Sequence, residues 1–442
     1  MYIHPSVLNL RFNPSSQFPS LEAVVGHETM LIPTECNVAV IGAGAAGLAA
    51  AATLRADGAD VVLLEAKARI GGRAYTETDT LGVPFDHGCQ WLHSASRNPF
   101  VTIAKELGLA VAPDERPRRI WLGDRWATEA EVEDWRSYAD RSFEAMEAMA
   151  GAGRDVAAAE ILPGDARWFP LFDAWLGMVS AVNTDGASTA DHANYVDTEE
   201  NWLVAGGYGA LIARWGAALP VALETAVSRI DRRGNAIILE TNRGALAAKS
   251  VIVTVSTAVL GADRMVFDPP LPDWKRDAID GLPLGAENKV AFRFDRDVFG
   301  APPGQWAAYS SDGADAFSFQ IRAQAAPVAI GYVGGRFCDA LEAAGEAEML
   351  AVALEQLKSI YGSAVGDRVV GAAATAWRGD PNIGGAYSAA RPGAANRRSD
   401  LARPVDGRLY FAGEATSRDF FSTAHGAYLS GVAAAEAVLR AV

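Results

Sequence analysis

The hexapeptide Gly42-Ala43-Gly44-Ala45-Ala46-Gly47 narrows the possible folds of this chain more than any other feature. A GxGxxG match alone arises easily in a chain rich in alanine and glycine. Here it directly follows the apolar run CNVAVI (36–41), opens an alanine-rich helical stretch from Ala45 to Asp57, and precedes a second apolar run, DVVLLEA (60–66). Strand, tight turn, helix and parallel strand make a βαβ unit. Within it Gly42 permits the tight turn, Gly44 lets the backbone approach a pyrophosphate, and Gly47 lets the helix pack on the sheet. The helix start, which includes Ala46, offers free N–H groups and a positive dipole end to phosphates. Glu65 lies 23 residues after Gly42, at the end of the second strand. An acid there can accept both hydroxyls of a ribose and disfavours a 2′-phosphate, so a ligand of the ADP-ribose type is expected, NAD or FAD.

Composition narrows the function classes. Lys and Arg number 39 against 54 Asp and Glu, a net charge of −15, which argues against nucleic-acid partners. Half of the 442 residues are hydrophobic, which fits two to three domains with a sizeable core rather than disorder. Cys36, Cys89 and Cys338 share no CxxC spacing and the histidines form no HExxH, so no disulfide framework or metal site is expected. The 19 uncharged residues from Cys36 to Leu54 approach a membrane-spanning length, yet a span explains neither the glycine spacing nor the acid after the next run. With no leader-like N-terminus and no hydrophobic tail, the expectation is a soluble, cytoplasmic protein without a membrane partner. Residues 1–35 are expected to form an extension. Val132, Trp135, Ala139, Phe143, Met146 and Ala150 predict an amphipathic helix with a core-facing stripe over 127–150. Residues 151–160 read as a linker or helix break, and Arg116-Pro-Arg-Arg119 as a solvated loop. Strands are predicted at 236–240, 250–255, 288–294, 327–333 and 408–413, and a helix at 427–442.

What separates NAD from FAD lies downstream. Glu65-Ala66-Lys67-Ala68-Arg69-Ile70-Gly71-Gly72-Arg73 resembles the stretch after the second strand of glutathione-reductase-like flavoproteins. In particular it is similar to the flavin-dependent amine oxidase family, which includes monoamine oxidases, polyamine oxidases and lysine-specific histone demethylases. Further segments resemble that family in order: Phe85-Asp-His-Gly-Cys-Gln-Trp-Leu-His93, Gly206-Gly-Tyr-Gly209 and Asp268-Pro-Pro-Leu-Pro272. Trp377-Arg-Gly-Asp-Pro381 leads to Gly385-Ala-Tyr-Ser388, and Phe411-Ala-Gly-Glu-Ala-Thr416 completes the set. Only residues 1–35 fall outside the resemblance. It implies an α/β fold in which a doubly wound, Rossmann-type FAD domain (36–92, 206–265 and 391–442) is interleaved with a mixed-sheet and helical substrate domain (93–205 and 266–390).

The resemblance also implies roles. Glu65, with Ala66 beside it, binds the adenosine ribose, and Arg69, Gly72 and Arg73 line the pyrophosphate and flavin edge. Gly88, Cys89, Gln90, Trp91 and Trp377 join the cofactor-binding set. Val227 meets adenine through its backbone, Gly413 and Glu414 hold the ribityl chain, and Thr423 and Ala424 offer N–H groups to the flavin. Covalent members carry a cysteine where this chain has Ala386, so non-covalent FAD is expected. Ser256 stands where the family often has proline, a departure that touches only local loop shape. Strand alternation places Lys289, Ala291 and Arg293 on one face, and such a lysine taken alone is usually solvated. In the family the matching lysine instead reaches flavin N5 through a water. Tyr387 and Tyr428 match an aromatic cage that guides the amine by cation–π attraction. His93 matches a histidine of the polyamine-oxidising branch. Glu199 and Glu200, before Trp202 and the glycine turn, are expected to hold a distal ammonium.

The implied function is an FAD-dependent amine oxidase acting on a small-molecule amine, with a polyamine favoured. Hydride passes from the carbon beside nitrogen to flavin N5, the imine hydrolyses, and O2 reoxidises the flavin to give H2O2. An L-amino-acid oxidase or tryptophan monooxygenase on the same fold stays open, although Trp91 stands where a carboxylate-clamping arginine is expected. A non-catalytic flavin-binding protein also stays open. The absence of a long heptad insertion disfavours a histone demethylase. Nothing in the sequence sets an oligomeric state.

Overall fold

The computed structural model describes residues 32–164, 166–262, 264–310, 313 and 315–441, so the extension expected over 1–35 falls almost entirely outside the described residues. The valine- and isoleucine-rich strand Glu35–Ile41 runs parallel to Val61–Leu64 on one side and to Gly244–Val253 on the other. A central parallel strand must be covered on both faces. Val38 and Val40 point toward the helices Ala45–Ala56 and Ala424–Ala441, while Ala39 and Ile41 join a second core with Leu260, Ile279 and Phe411. Gly42 turns out of the strand with φ +101°. A Cβ on Gly47 would lie 1.8 Å from the Gly42 carbonyl oxygen, and one on Gly431 would lie 2.0 Å from that of Ala46. These two glycines let the first helix close on the turn and the last helix close on the first.

Gly244–Val253 is longer than its expected segment because it serves two neighbourhoods. Its early residues pair antiparallel with Ile237–Thr241, and its later ones pair parallel with Glu35–Ile41 and Leu409–Phe411. Val227–Asp231, Val266–Asp268 and Val221–Ala222 complete this eight-stranded sheet. A six-stranded sheet runs in the order Val369–Ala374, Glu287–Phe294, Val328–Gly334, Ser318–Ile321, Trp306–Tyr309 and Arg118–Trp121.

The last of these strands corrects the solvated loop expected at 116–119. Arg118 and Arg119 open an edge strand parallel to Trp306–Tyr309, where the free side of the ladder tolerates charge. Arg119 stacks on Trp126 at 4.0 Å and Arg116 pairs with Asp114. The expected amphipathic helix spans Glu129–Gly151 and starts in a capping box between Thr128 and Glu131. Its stripe packs with Trp168, Phe172 and Leu176, and residues from Val132 to Met146 also line the cavity described next. Among the described residues no helix is long and apolar enough to cross a membrane.

Candidate active site

A cavity of about 1580 Å³ is lined by residues of both sheets. Drug-sized ligands occupy roughly 300–1,000 Å³, so there is room for a dinucleotide and a second small molecule. At one end stands the glycine turn. The helix Ala45–Ala56 has no side-chain cap, which leaves its first N–H groups to a ligand. Gly44 and Gly72 flank it, and a Cβ on Gly44 would meet no protein atom closer than the Gly71 carbonyl oxygen at 4.0 Å. The Glu65 carboxylate is held by the N–H groups of Ala43 at 2.7 Å and Lys67 at 2.9 Å. Burial raises its pKa against those bonds.

In the middle, Glu414 gathers a polar network. Its carboxylate accepts from Arg73 at 2.9 Å, the Ser388 hydroxyl at 2.6 Å and the Ser422 N–H at 2.9 Å. Burial alone would raise this pKa, but Arg73, Ser388 and Arg398 together hold it below the ordinary glutamate value. Behind it Arg398, fully buried, forks onto Asp191 at 2.6 and 2.7 Å and donates to Ser388 at 2.8 Å. That bidentate pair fixes the serine that fixes the glutamate. The sequence reading missed it, since Asp191 and Arg398 are far apart in the chain and match no local pattern.

At the far end lies the strand Glu287–Phe294. Lys289 is 2% exposed, and its Nζ donates to the carbonyls of Asp86 at 2.8 Å and Gly88 at 2.6 Å and to Gln90 Oε1 at 3.3 Å. Burial draws its pKa down, opposed by Glu287 and Asp86. Asp86 is itself anchored by the Tyr208 and Gly209 N–H groups, both at 3.0 Å, at the start of the helix Tyr208–Gly216. The glycine turn at 206–209 therefore sets the loop that receives the lysine. Tyr332 lies opposite Lys289 on the neighbouring strand and donates to Gln90 Oε1 at 2.7 Å. The Tyr387 hydroxyl donates to the Met178 carbonyl at 2.5 Å, which orients the ring.

Most residues singled out from sequence line this one cavity. Gly42, Ala46, Ala66, Gly88, Cys89, Gln90, Trp91, Val227, Trp377, Gly413, Thr423 and Ala424 all do so, as do Tyr387, His93, Glu199, Glu200 and Trp202. Trp91 is fixed by its indole N–H on Asp114 at 2.7 Å, and His93 Nδ1 lies 2.5 Å from Asn201 Oδ1. Glu199 is exposed, and the Glu200 carboxylate already accepts from the Ser96 N–H at 3.1 Å and the Thr198 hydroxyl at 3.0 Å.

Three do not reach it. Gly47 is absorbed by helix packing. The Arg69 guanidinium lies on the Tyr75 ring at 4.2 Å and donates to its neighbour's carbonyl rather than facing the cavity. Tyr428, expected as half of an aromatic cage, sits on the core side of the last helix. There its ring meets Phe100 at 5.2 Å and Trp215 at 5.4 Å. Thr423, at the start of that helix, lines the cavity instead and caps it by accepting from the Gly426 N–H at 3.0 Å.

Residues 45–439 match the model of the family described as flavin containing amine oxidoreductase. The chain belongs to that family. It is 29% identical over 456 residues to polyamine oxidase 4 of Oryza sativa subsp. japonica, a match covering 92% of this chain and 91% of that protein. It is 28% identical to lysine-specific histone demethylase 2 of Homo sapiens, over 92% of this chain but only 54% of that one. Cyclohexylamine oxidase from Brevibacterium oxydans IH-35A has the same fold, with a TM-score of 0.77 at 22% identity over 92% of this chain and 99% of that chain. This protein is thus an FAD-dependent amine oxidoreductase.

The residues present fit FAD. The open space above Gly44 and the uncapped helix suit a pyrophosphate, and Glu65 at the end of the second strand suits the ribose. Of the three cysteines only Cys89 lines the cavity, where burial pushes its thiol pKa up. Ala386 is the residue before Tyr387, and the cofactor is held without a covalent bond.

Proposed function

We propose that this enzyme oxidises an amine bearing a second positive charge, a polyamine or diamine, with O2 as acceptor. Bound FAD supplies the hydride acceptor. The observation that carries this reading is Lys289, buried yet open to the same cavity as the glycine turn and Tyr387. Burial draws its pKa down from the ordinary lysine value, which makes the proton on its Nζ easier to give up than that of a solvated lysine. Tyr387 offers an aromatic face to a developing cation.

Support for a second charge comes from Asp197, Glu199 and Glu200, which line the cavity from one loop. Burial lowers the His93 pKa, so its ring adds no positive charge to repel such a substrate. The net charge of −15 favours encounter with a polycation, an effect that salt weakens. Trp91, held by Asp114, leaves no arginine at that position to clamp an amino-acid carboxylate.

The test is peroxide release from spermine, spermidine, putrescine, benzylamine and L-amino acids at two salt concentrations. A polyamine should give the highest kcat/KM, with a loss at high salt. The value should also depend on pH, because the reacting amine must lose its proton before it gives up hydride. Benzylamine or an amino acid in first place would overturn the polyamine assignment while leaving the family standing.

A further inference from the structure

Glu287 opens the strand that carries Lys289. It sits two residues before Lys289 on the same strand face, about 7 Å away along the chain. It is 8% exposed and lines the cavity. Among the described residues no hydrogen-bond donor reaches its carboxyl, and the one charge acting on it is Lys289. That lysine directs its three hydrogen bonds elsewhere, to Asp86, Gly88 and Gln90.

The other groups near Glu287 are Tyr332 on the strand Val328–Gly334, Cys338 on the helix Gly335–Ala344, and Tyr387. Burial pushes the pKa of all three up, so none carries charge near neutral pH. A buried carboxylate with no hydrogen-bonded partner is costly, and a cation entering the cavity lowers that cost.

Resting on the amine-oxidase reading above, we propose that Glu287 receives the ammonium of the reacting amine and takes its proton. One N–H bond breaks, a carboxyl O–H bond forms, and the electron pair stays on nitrogen as the lone pair that hydride loss requires. Acids of the loop 197–200 would then serve the distal end of a long substrate, and Glu287 the reacting end. Burial raises the Glu287 carboxyl to about 7, so it is mostly ionised at pH 8 and mostly protonated at pH 6.

The probe is tert-butylammonium, which has no hydrogen on the carbon beside nitrogen and cannot be oxidised. It is titrated into the FAD-loaded enzyme by flavin difference absorbance, with competitive inhibition as a second readout and tert-butanol as the neutral control. For the unaltered enzyme, Kd should tighten about tenfold from pH 6 to pH 8, as expected for one group titrating near 7. Glu287→Gln should weaken binding at pH 8 about tenfold or more and abolish the pH dependence, with tert-butanol binding unchanged. Glu287→Asp should keep the dependence. Lys289→Met should keep it too, with a higher midpoint, because the lysine charge lowers the Glu287 pKa.

Equal Kd at pH 8 for the unaltered enzyme and Glu287→Gln would overturn the proposal. So would a pH dependence that vanishes in Lys289→Met but survives in Glu287→Gln. If Glu287→Gln does not fold, a Kd for the unaltered enzyme that stays flat between pH 6 and 8 overturns it equally. Failure of the amine-oxidase reading looks different: the unaltered enzyme then oxidises none of the amines.

Discussion

Lys275 is 0% exposed and Lys289 is 2% exposed; each donates three hydrogen bonds, and burial draws down the pKa of each, that of Lys275 to about 7. Their surroundings differ. Lys275 Nζ reaches the carbonyls of Asp400 at 3.0 Å, Leu401 at 2.6 Å and Arg403 at 2.6 Å, closing the end of the helix Arg397–Ala402. The Phe411 and Trp274 rings lie 4.1 and 4.8 Å away, and Lys275 does not line the cavity. A cation there satisfies the orphan carbonyls of a helix end. Lys289 uses acceptors on a loop that itself lines the cavity, so a ligand can meet its amino group. Burial and a lowered pKa are common to both; access to the cavity separates them, and it is what the proposed proton-handling role of Lys289 rests on.

That contrast can be broken by experiment. Lys289→Met should lower kcat/KM on the best amine by about a hundredfold or more, the scale of a lost proton-transfer group, with FAD still bound. Lys275→Met should act on stability instead. It leaves three carbonyls without a donor and should cost about 2–3 kcal/mol in urea unfolding, with kcat/KM within about twofold of the unaltered enzyme.

The same division applies to the two tyrosines. Tyr387→Leu should lower kcat/KM about tenfold through loss of a cation–π face. Tyr428→Phe should leave it unchanged, since only a hydroxyl is removed from a ring packed on Phe100 and Trp215. A smaller effect than that of Tyr387 belongs to the loop 197–200, which lines the cavity. Glu199→Gln with Glu200→Gln should raise KM for spermidine by about two- to fivefold, the scale of exposed ion pairs, and leave KM for benzylamine unchanged.

What could be read from sequence follows how local the physics is. The turn at 42–47 and Glu65 were legible because spacing, strand ends and helix start all fall within one βαβ unit. The face carrying Lys289 was legible from alternation, but its burial depends on the 86–90 loop and the 206–209 turn, far away in the chain. The last helix begins at Ala424 rather than Ala427 because one hydroxyl, that of Thr423, caps it. Tyr428 was misplaced for a related reason. Resemblance gives a residue's place in a motif, while its helix face is decided by packing against Phe100 and Trp215. Asp191 with Arg398 and the unpartnered Glu287 carry no local signature at all.

The most direct test of the claim about access is stopped-flow spectroscopy of the flavin at matched FAD loading, comparing the unaltered enzyme, Lys275→Met and Lys289→Met. The account predicts that Lys275→Met traces overlay those of the unaltered enzyme in both anaerobic reduction by amine and reoxidation by O2. Lys289→Met should be slowed strongly in at least one of the two. Traces for Lys289→Met that overlay the unaltered enzyme in both phases would contradict the account and leave Lys289 a structural lysine like Lys275.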